Sequence, residues 1–162
     1  MTGLAEQLDA IRVQASTSGS DIRAELSNRR QISLSFGEGV YEFISESALE
    51  QALARLARQL YTGWVRQYQA AISTTHLDGE PKDQHHLNFQ DEVRAVQVSV
   101  ESSDGRISLS TVGMQDFTAK VRRGTVRELS EGEFTARVAE VAPQLIRQYQ
   151  AKVLELKGRY YR

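Results

Sequence analysis

Few side chains in this sequence have the types and spacing that chemistry requires. The three histidines are His76, His85 and His86, and the nearby acids are Asp83, Asp91 and Glu92. A metal site needs three or four such ligands held in fixed geometry. Adjacent His85 and His86 have no partner at a ligand-like spacing, so solvated histidines are the simpler reading. Gly37-Glu38-Gly39 has the start of a phosphate loop, but no Lys-Ser/Thr follows, and a turn accounts for it. Serine and histidine both occur, without the elbow sequence that exposes a serine nucleophile. Cysteine is absent, which removes disulfides, thiolate nucleophiles and thiolate metal ligands. The expectation is a protein with no catalytic residue, no metal and no cofactor, and not an enzyme.

Charge is the next chemical resource. Residues 1–81 hold seven arginines against ten acids, and residues 82–162 hold thirteen basic residues against eleven acids. From Ala119 onward, ten basic residues stand against five acids. Lys120, Arg122, Arg123, Lys152, Lys157, Arg159 and Arg162 could therefore replace the counterions of a nucleic-acid backbone. Tyr160 and Tyr161, set among the last of these, could stack on bases. The plainer reading is a solvated basic face. The overall net charge is only −1, so no general field draws DNA or a membrane to the chain.

The elements that position these residues come in two sets. Arg-Gln-Tyr-Gln-Ala occurs at 66–70 and again at 147–151, an offset of 81. Val13-Gln14-Ala15-Ser16 matches Val96-Gln97-Val98-Ser99 at offset 83, and Leu26-Ser27 matches Leu109-Ser110 at the same offset. Gly39 and Ile44-Ser45-Glu46 match Gly124 and Leu129-Ser130-Glu131 at offset 85. These matches predict a duplication, with one length change between the second and third strands and a missing turn in a helix.

Each copy reads as three strands and a long helix. Ile11–Ser16, Ile22–Ser27 and Ile32–Phe36 alternate apolar and polar, as half-buried strands do. The second copy repeats this around Val96, Val98 and Val100, then Ile107 and Leu109, then Phe117, Ala119 and Val121. Asp104-Gly105 marks a tight turn, and short connections imply antiparallel pairing. Leu49, Leu53, Leu56, Leu60, Trp64 and Tyr68 form one apolar helical stripe, and Phe134, Val138, Val141, Leu145, Tyr149, Val153 and Leu156 form another. Ser130 and Glu133 make a capping box, with Ser45 or Ser47 in that role on the first helix. Pro143 and Thr62-Gly63 predict bends in the two helices. Gln67, Gln69, Gln148 and Gln150 flank the stripes, where they could bond across helices.

The expected fold is α+β: tandem βββα units, with antiparallel sheets covered by two long amphipathic helices in a pseudo-dimer. Residues 1–72 form a short N-terminal helix and the first unit, 73–90 a polar linker, and 91–162 the second unit, both units sharing one core. The start of the chain has no basic segment followed by an apolar run, and no stretch is long enough to span a bilayer. The expectation is a cytoplasmic protein without a membrane partner.

Three strands, a glycine, an Ile/Leu-Ser-Glu helix start and a long amphipathic helix resemble the YbaB/EbfC nucleoid-associated family. The better match runs from "VQVSVESSDGRISLSTVGMQDFTAKV" through "LSEGEFTARVAEV". The resemblance implies a small, non-catalytic, dimeric protein that binds double-stranded DNA. Some YbaB-like relatives are encoded with type VII secretion systems, which gives an alternative: a protein-interaction scaffold or chaperone-like accessory factor. This sequence departs from the family pattern in carrying two copies and in lacking a long Gln/Met-rich first helix. The expected interface residues are Trp64, Tyr68, Tyr149, Val153 and Leu156. The extension "QAKVLELKGRYY" beyond the second repeat favours a homodimer over a pseudo-dimeric monomer.

Overall fold

The computed structural model of the chain describes residues 3–18, 21–74 and 84–160. Helix α1 (Leu4–Asp9) leads into strands β1 (Val13–Ser16), β2 (Ile22–Ser27) and β3 (Gln31–Phe36), then a short α2 (Val40–Phe43) and the long α3 (Glu46–Thr74). The second unit runs α4 (Gln84–Arg94), β4 (Gln97–Glu101), β5 (Ile107–Val112), β6 (Asp116–Val121), a short α5 (Thr125–Glu128) and the long α6 (Glu131–Tyr160). The fold is the α+β architecture expected from the sequence: two three-stranded antiparallel sheets, ordered β1-β2-β3 and β4-β5-β6, with helices packed on them. Alternation decides which face is buried. In β2, Ile22, Ala24 and Leu26 point inward while Arg23 points out.

The units are copies, but at a different spacing from the matched strings. Val13 pairs with Leu26, and Val98 with Thr111; Ile22 pairs with Phe36, and Ile107 with Val121. Every one of these positions is displaced by 85 residues from its counterpart. Turn bonds repeat at the same spacing: the Ile22 amide donates to Thr17 Oγ1, and the Ile107 amide donates to Ser102 Oγ. Along the helices Leu49, Leu53, Leu56 and Leu60 correspond to Phe134, Val138, Val141 and Leu145, all buried. The 83-residue matches are thus two residues out of register, no length change separates the second and third strands, and no helix turn is missing. The two Arg-Gln-Tyr-Gln-Ala strings sit one turn apart, because Tyr149 occupies the position of Trp64 rather than of Tyr68. A slip of two along a strand, or of four along a helix, keeps the same face apolar. Chance identities could therefore slide along both periods.

Other expectations change for physical reasons. Residues 75–83 of the expected linker lie outside the described residues, but 84–90 open α4, the counterpart of α1. Its polar composition hid it, since only Leu87, Phe89 and Val93 give it an apolar side. The helices α2 and α5 are four residues each, too short to leave a periodic signal. Both long helices run unbroken through the expected bend sites. Gly63 and Pro143 are not counterparts at all. Gly63 lets α3 lie close on β1, where a Cβ would stand 2.5 Å from Val13 Cγ1. The caps are Ser45, which accepts from the Ala48 amide at 3.1 Å, and the reciprocal pair Ser130 and Glu133. Over the described residues the long helices run to 29 and 30 residues.

The long helices are exchanged between units. Helix α3 packs on β6 of the other unit as well as on β1 and β2 of its own, and α6 packs reciprocally on β3, β4 and β5. The start of α3 reaches across through Glu50, which accepts from the Val121 amide at 2.8 Å, and Glu46, which accepts from the Val126 amide at 3.0 Å. Its later turns return home, where Gln59 accepts from the Ser16 amide and Gln67 donates to Arg12 O. The short helices α2 and α5 touch at the pseudo-twofold axis. Beside them Phe36 and Tyr41 of the first unit meet Phe134 of the second, with ring centroids 6.0 and 5.6 Å away. The Tyr41 hydroxyl donates to Leu129 O at 2.8 Å. One hydrophobic cluster draws on both units.

Phe134 is fully buried where the units meet. Phe134→Ala should cost about 3–5 kcal/mol, the range for an aromatic removed from a core, and both halves should still unfold in one transition. Calorimetry with fluorescence and circular dichroism on the same sample checks this, and two separated transitions would show that the units do not share a core.

Candidate binding cleft

Between the later turns of α3 and α6, over the inner faces of both sheets, lies a partly open cavity of about 470 Å³. Counterparts build its wall: Leu53 with Val138, Ala57 with Ala142, Trp64 with Tyr149. The cavity therefore straddles the pseudo-twofold axis. It exists because the facing stripes place alanine against alanine at a mid-helix position where the flanking positions carry leucine, valine and aromatic residues.

Of the expected interface residues, Trp64, Tyr68, Tyr149 and Val153 all line this cleft, while Leu156 packs half-buried against the core outside it. Trp64 stacks on Tyr68, ring centroids 5.0 Å apart and planes 18° from parallel. Its Nε1 is buried and finds no acceptor among the described residues. Tyr61 and Tyr149 stand close enough on the wall to perturb each other, and burial raises the pKa of both. The flanking glutamines Gln67 and Gln150 bond beside the sheet rather than across helices: Gln67 donates to Arg12 O just before β1, and Gln150 accepts from Arg30 of the β2–β3 turn at 2.9 Å.

Sequence reading missed Tyr61, Arg29 and Met114. Tyr61 lies three residues before Trp64 on the same helix, a spacing that could have revealed it. Arg29 and Met114 are counterparts in the β2–β3 and β5–β6 turns, both with left-handed backbone (φ 68° and 56°), a conformation side chains adopt rarely. Among the described residues, Arg29 is the only charged one on the wall. Its Nε lies 2.9 Å from Asp9 Oδ1, although its N–H does not point at that oxygen, and Nη2 donates to Ala5 O.

The expected nucleic-acid residues are not brought together. Lys120 and Arg122 share a shallow depression with Arg106, Ser108 and Thr118 where β6 ends. Arg123 and Arg127 follow, and these four exposed cations, Lys120, Arg122, Arg123 and Arg127, form no ion pair with a described residue. Arg106 is engaged by Glu128 and Asp104. Lys152 and Arg159 lie roughly 30 to 40 Å farther along α6, at about 1.5 Å per residue. Lys152 Nζ donates to Gln97 O at 2.7 Å, and Arg159 pairs with Glu155. Lys157 is exposed between them, and Arg162 lies outside the described residues. Because α2 touches α5, the basic turn at Arg122-Arg123 and its acidic counterpart at Gly37-Glu38 flank one junction. Of the metal candidates, His76 and Asp83 lie outside the described residues, and among the described residues no three carboxylates and histidines cluster. No described helix is long and apolar enough to cross a membrane.

The phenols give a direct readout. Tyr41, Tyr61 and Tyr149 all have pKa values raised above the ordinary 10, chiefly by burial, out of six tyrosines. A neutral group whose pKa rises on folding contributes stability that is complete below its unfolded value and is lost as pH climbs above it. Absorbance titration should therefore show the phenols of Tyr41, Tyr61 and Tyr149 ionising late, together with unfolding. Ionisation of these three at the ordinary value in folded protein would contradict their burial.

No family model, no curated protein and no solved structure matches this chain.

Proposed function

We propose that this protein is a non-catalytic binding module, of the scaffold or chaperone-like accessory kind, which holds the apolar part of its partner in the cleft between its long helices. The carrying observation is the cleft itself, a concave and largely apolar site of about 470 Å³. Ligand sites typically have this character, with a few polar groups set into an apolar wall. A cavity so lined does not hold water well, so occupancy by an apolar group is favoured by the hydrophobic effect.

A neutral apolar fluorophore should bind one molecule per chain. Ala57→Phe with Ala142→Phe, which fills the cleft from both helices, should weaken that binding at least tenfold. Undiminished binding by the filled variant, with its melting behaviour retained, would move the site elsewhere.

A second reading rests on a different observation. Lys120, Arg122, Arg123 and Arg127 form no ion pair with a described residue around one end of β6 and α5, and the YbaB/EbfC resemblance makes double-stranded DNA their natural partner. Removing one phosphate-neutralising cation should lower the salt slope by about one and weaken all sequences alike. Arg122→Glu with Arg123→Glu should abolish duplex binding at low salt and leave the melting temperature nearly unchanged. Equal binding by the double variant rules out this surface, and failure of the parent chain to bind at low salt removes the nucleic-acid reading.

A further inference from the structure

The polar atoms on the cleft wall narrow what it can hold. Among the described residues, no Asp, Glu, Lys or His lines it, and its one charge is the guanidinium of Arg29. Gln150 already engages its carbonyl oxygen with Arg30, which leaves its two amide N–H donors. Tyr61 and Tyr149 both line the wall and carry two hydroxyl protons, and a bond between them would use only one, so at least one O–H remains to be donated. The indole N–H of Trp64 also has no acceptor among the described residues, but it is buried and does not face the cleft. Apart from tyrosine lone pairs, the remaining lone pair of the Gln150 carbonyl and the weakly accepting Met114 sulfur, the polar side chains of the wall offer donors.

A wall with surplus donors and no carboxylate, its Arg29 already facing Asp9, complements an acceptor, and an anionic acceptor best, since hydrogen bonds to charged groups are the stronger ones. An ammonium head would bury its charge here without a counter-ion. The rest of the wall is apolar over a volume suited to a small molecule. We propose that the cleft is a binding site for a long-chain carboxylate: an apolar body lying against Leu53, Leu60, Val138 and Leu145, with its head toward the Tyr61–Tyr149 pair and Gln150. This deepens the cleft reading and rests on it.

The chain's sole tryptophan, Trp64, lines the cleft and reports occupancy directly. The full chain is titrated with saturated carboxylates of about eight to eighteen carbons, each below its micelle threshold, and with the matching methyl esters and alkylammonium ions. A saturable change in Trp64 emission is expected, one molecule per chain, with an optimum chain length. The ester and the ammonium should each bind at least tenfold more weakly than the carboxylate. Tyr61→Phe with Tyr149→Phe should cost the carboxylate about tenfold, the scale of one hydrogen bond to a charged group, while a neutral apolar fluorophore binds as before. The ester comparison needs no variant, so it decides the head-group assignment even if the double variant is unstable. If the fluorophore binds and no carboxylate does, or if ester or ammonium binds equally well, the proposal is overturned and the apolar cleft stands. If neither fluorophore nor carboxylate binds, both readings fall. A concentration-dependent dimer that excludes the fluorophore would give the cleft to a second copy and overturn the carboxylate.

Discussion

Two carboxylates near the start of α3 reach out of their own unit. Glu50 and Glu46 accept the amides of Val121 and Val126, at the end of β6 and in the turn of helix after it. The last amide of an edge strand otherwise has no ladder partner, and an unpaired buried amide is costly. A three-stranded sheet with one apolar face also needs more cover than one amphipathic helix supplies. Exchange of helices meets both needs, because each long helix spans an edge strand of the other unit and then its own sheet. From this follow the single core, the contact of α2 with α5 at the axis, and the packing of Phe134 against Phe36 and Tyr41.

Apolar positions have kept the duplication while polar ones have diverged. In the second unit Asp104 accepts from Ser102 Oγ at 2.6 Å and from Arg137 Nε at 2.9 Å, and Glu140 accepts from Ser103. The Ser102 hydroxyl and then Arg137 hold the Asp104 carboxyl well below the usual carboxylate range. This network ties the β4–β5 turn to α6. The first unit has Asp21 where the second has Arg106, and Ala52 where it has Arg137, so it cannot build the same network. Its own arginine–carboxylate contacts, Arg29 with Asp9 and Arg12 with Glu25, lie at the opposite hairpin end. Core packing constrains residues by volume and face, which two copies share; surface charge carries no such constraint.

Much of this fold was legible because its signals are periodic. Alternation gave six strands, the 3–4 spacing gave both long helices, and Ser130 with Glu133 gave a helix start that the geometry reproduces. The copy register was not legible. Identical strings at offsets of 81 and 83 preserve the apolar face as well as the true offset of 85 does, and only strand pairing distinguishes them. The exchange of helices was not legible either, since an amphipathic stripe records that it is covered and not which sheet covers it. Trp64, Tyr68, Tyr149 and Val153 are legible as stripe residues, and all four line the cleft. The cations group by closeness in sequence, which a helix of 30 residues turns into distance.

Joining two copies in one chain has a consequence for the cleft that a dimer of identical chains could not reach. A true twofold axis through a cavity duplicates every wall residue, so a ligand on the axis meets the same groups at both ends. Here the counterparts differ: Tyr61 stands opposite Ile146, Trp64 opposite Tyr149, and Arg29 opposite Met114. The aliphatic frame at Leu53, Leu60, Val138 and Leu145 stays nearly symmetric and preserves the cavity. The polar positions are free to vary one side at a time, because a change in one unit is not copied into the other. A site that binds an asymmetric molecule, polar at one end and apolar along its length, needs that freedom.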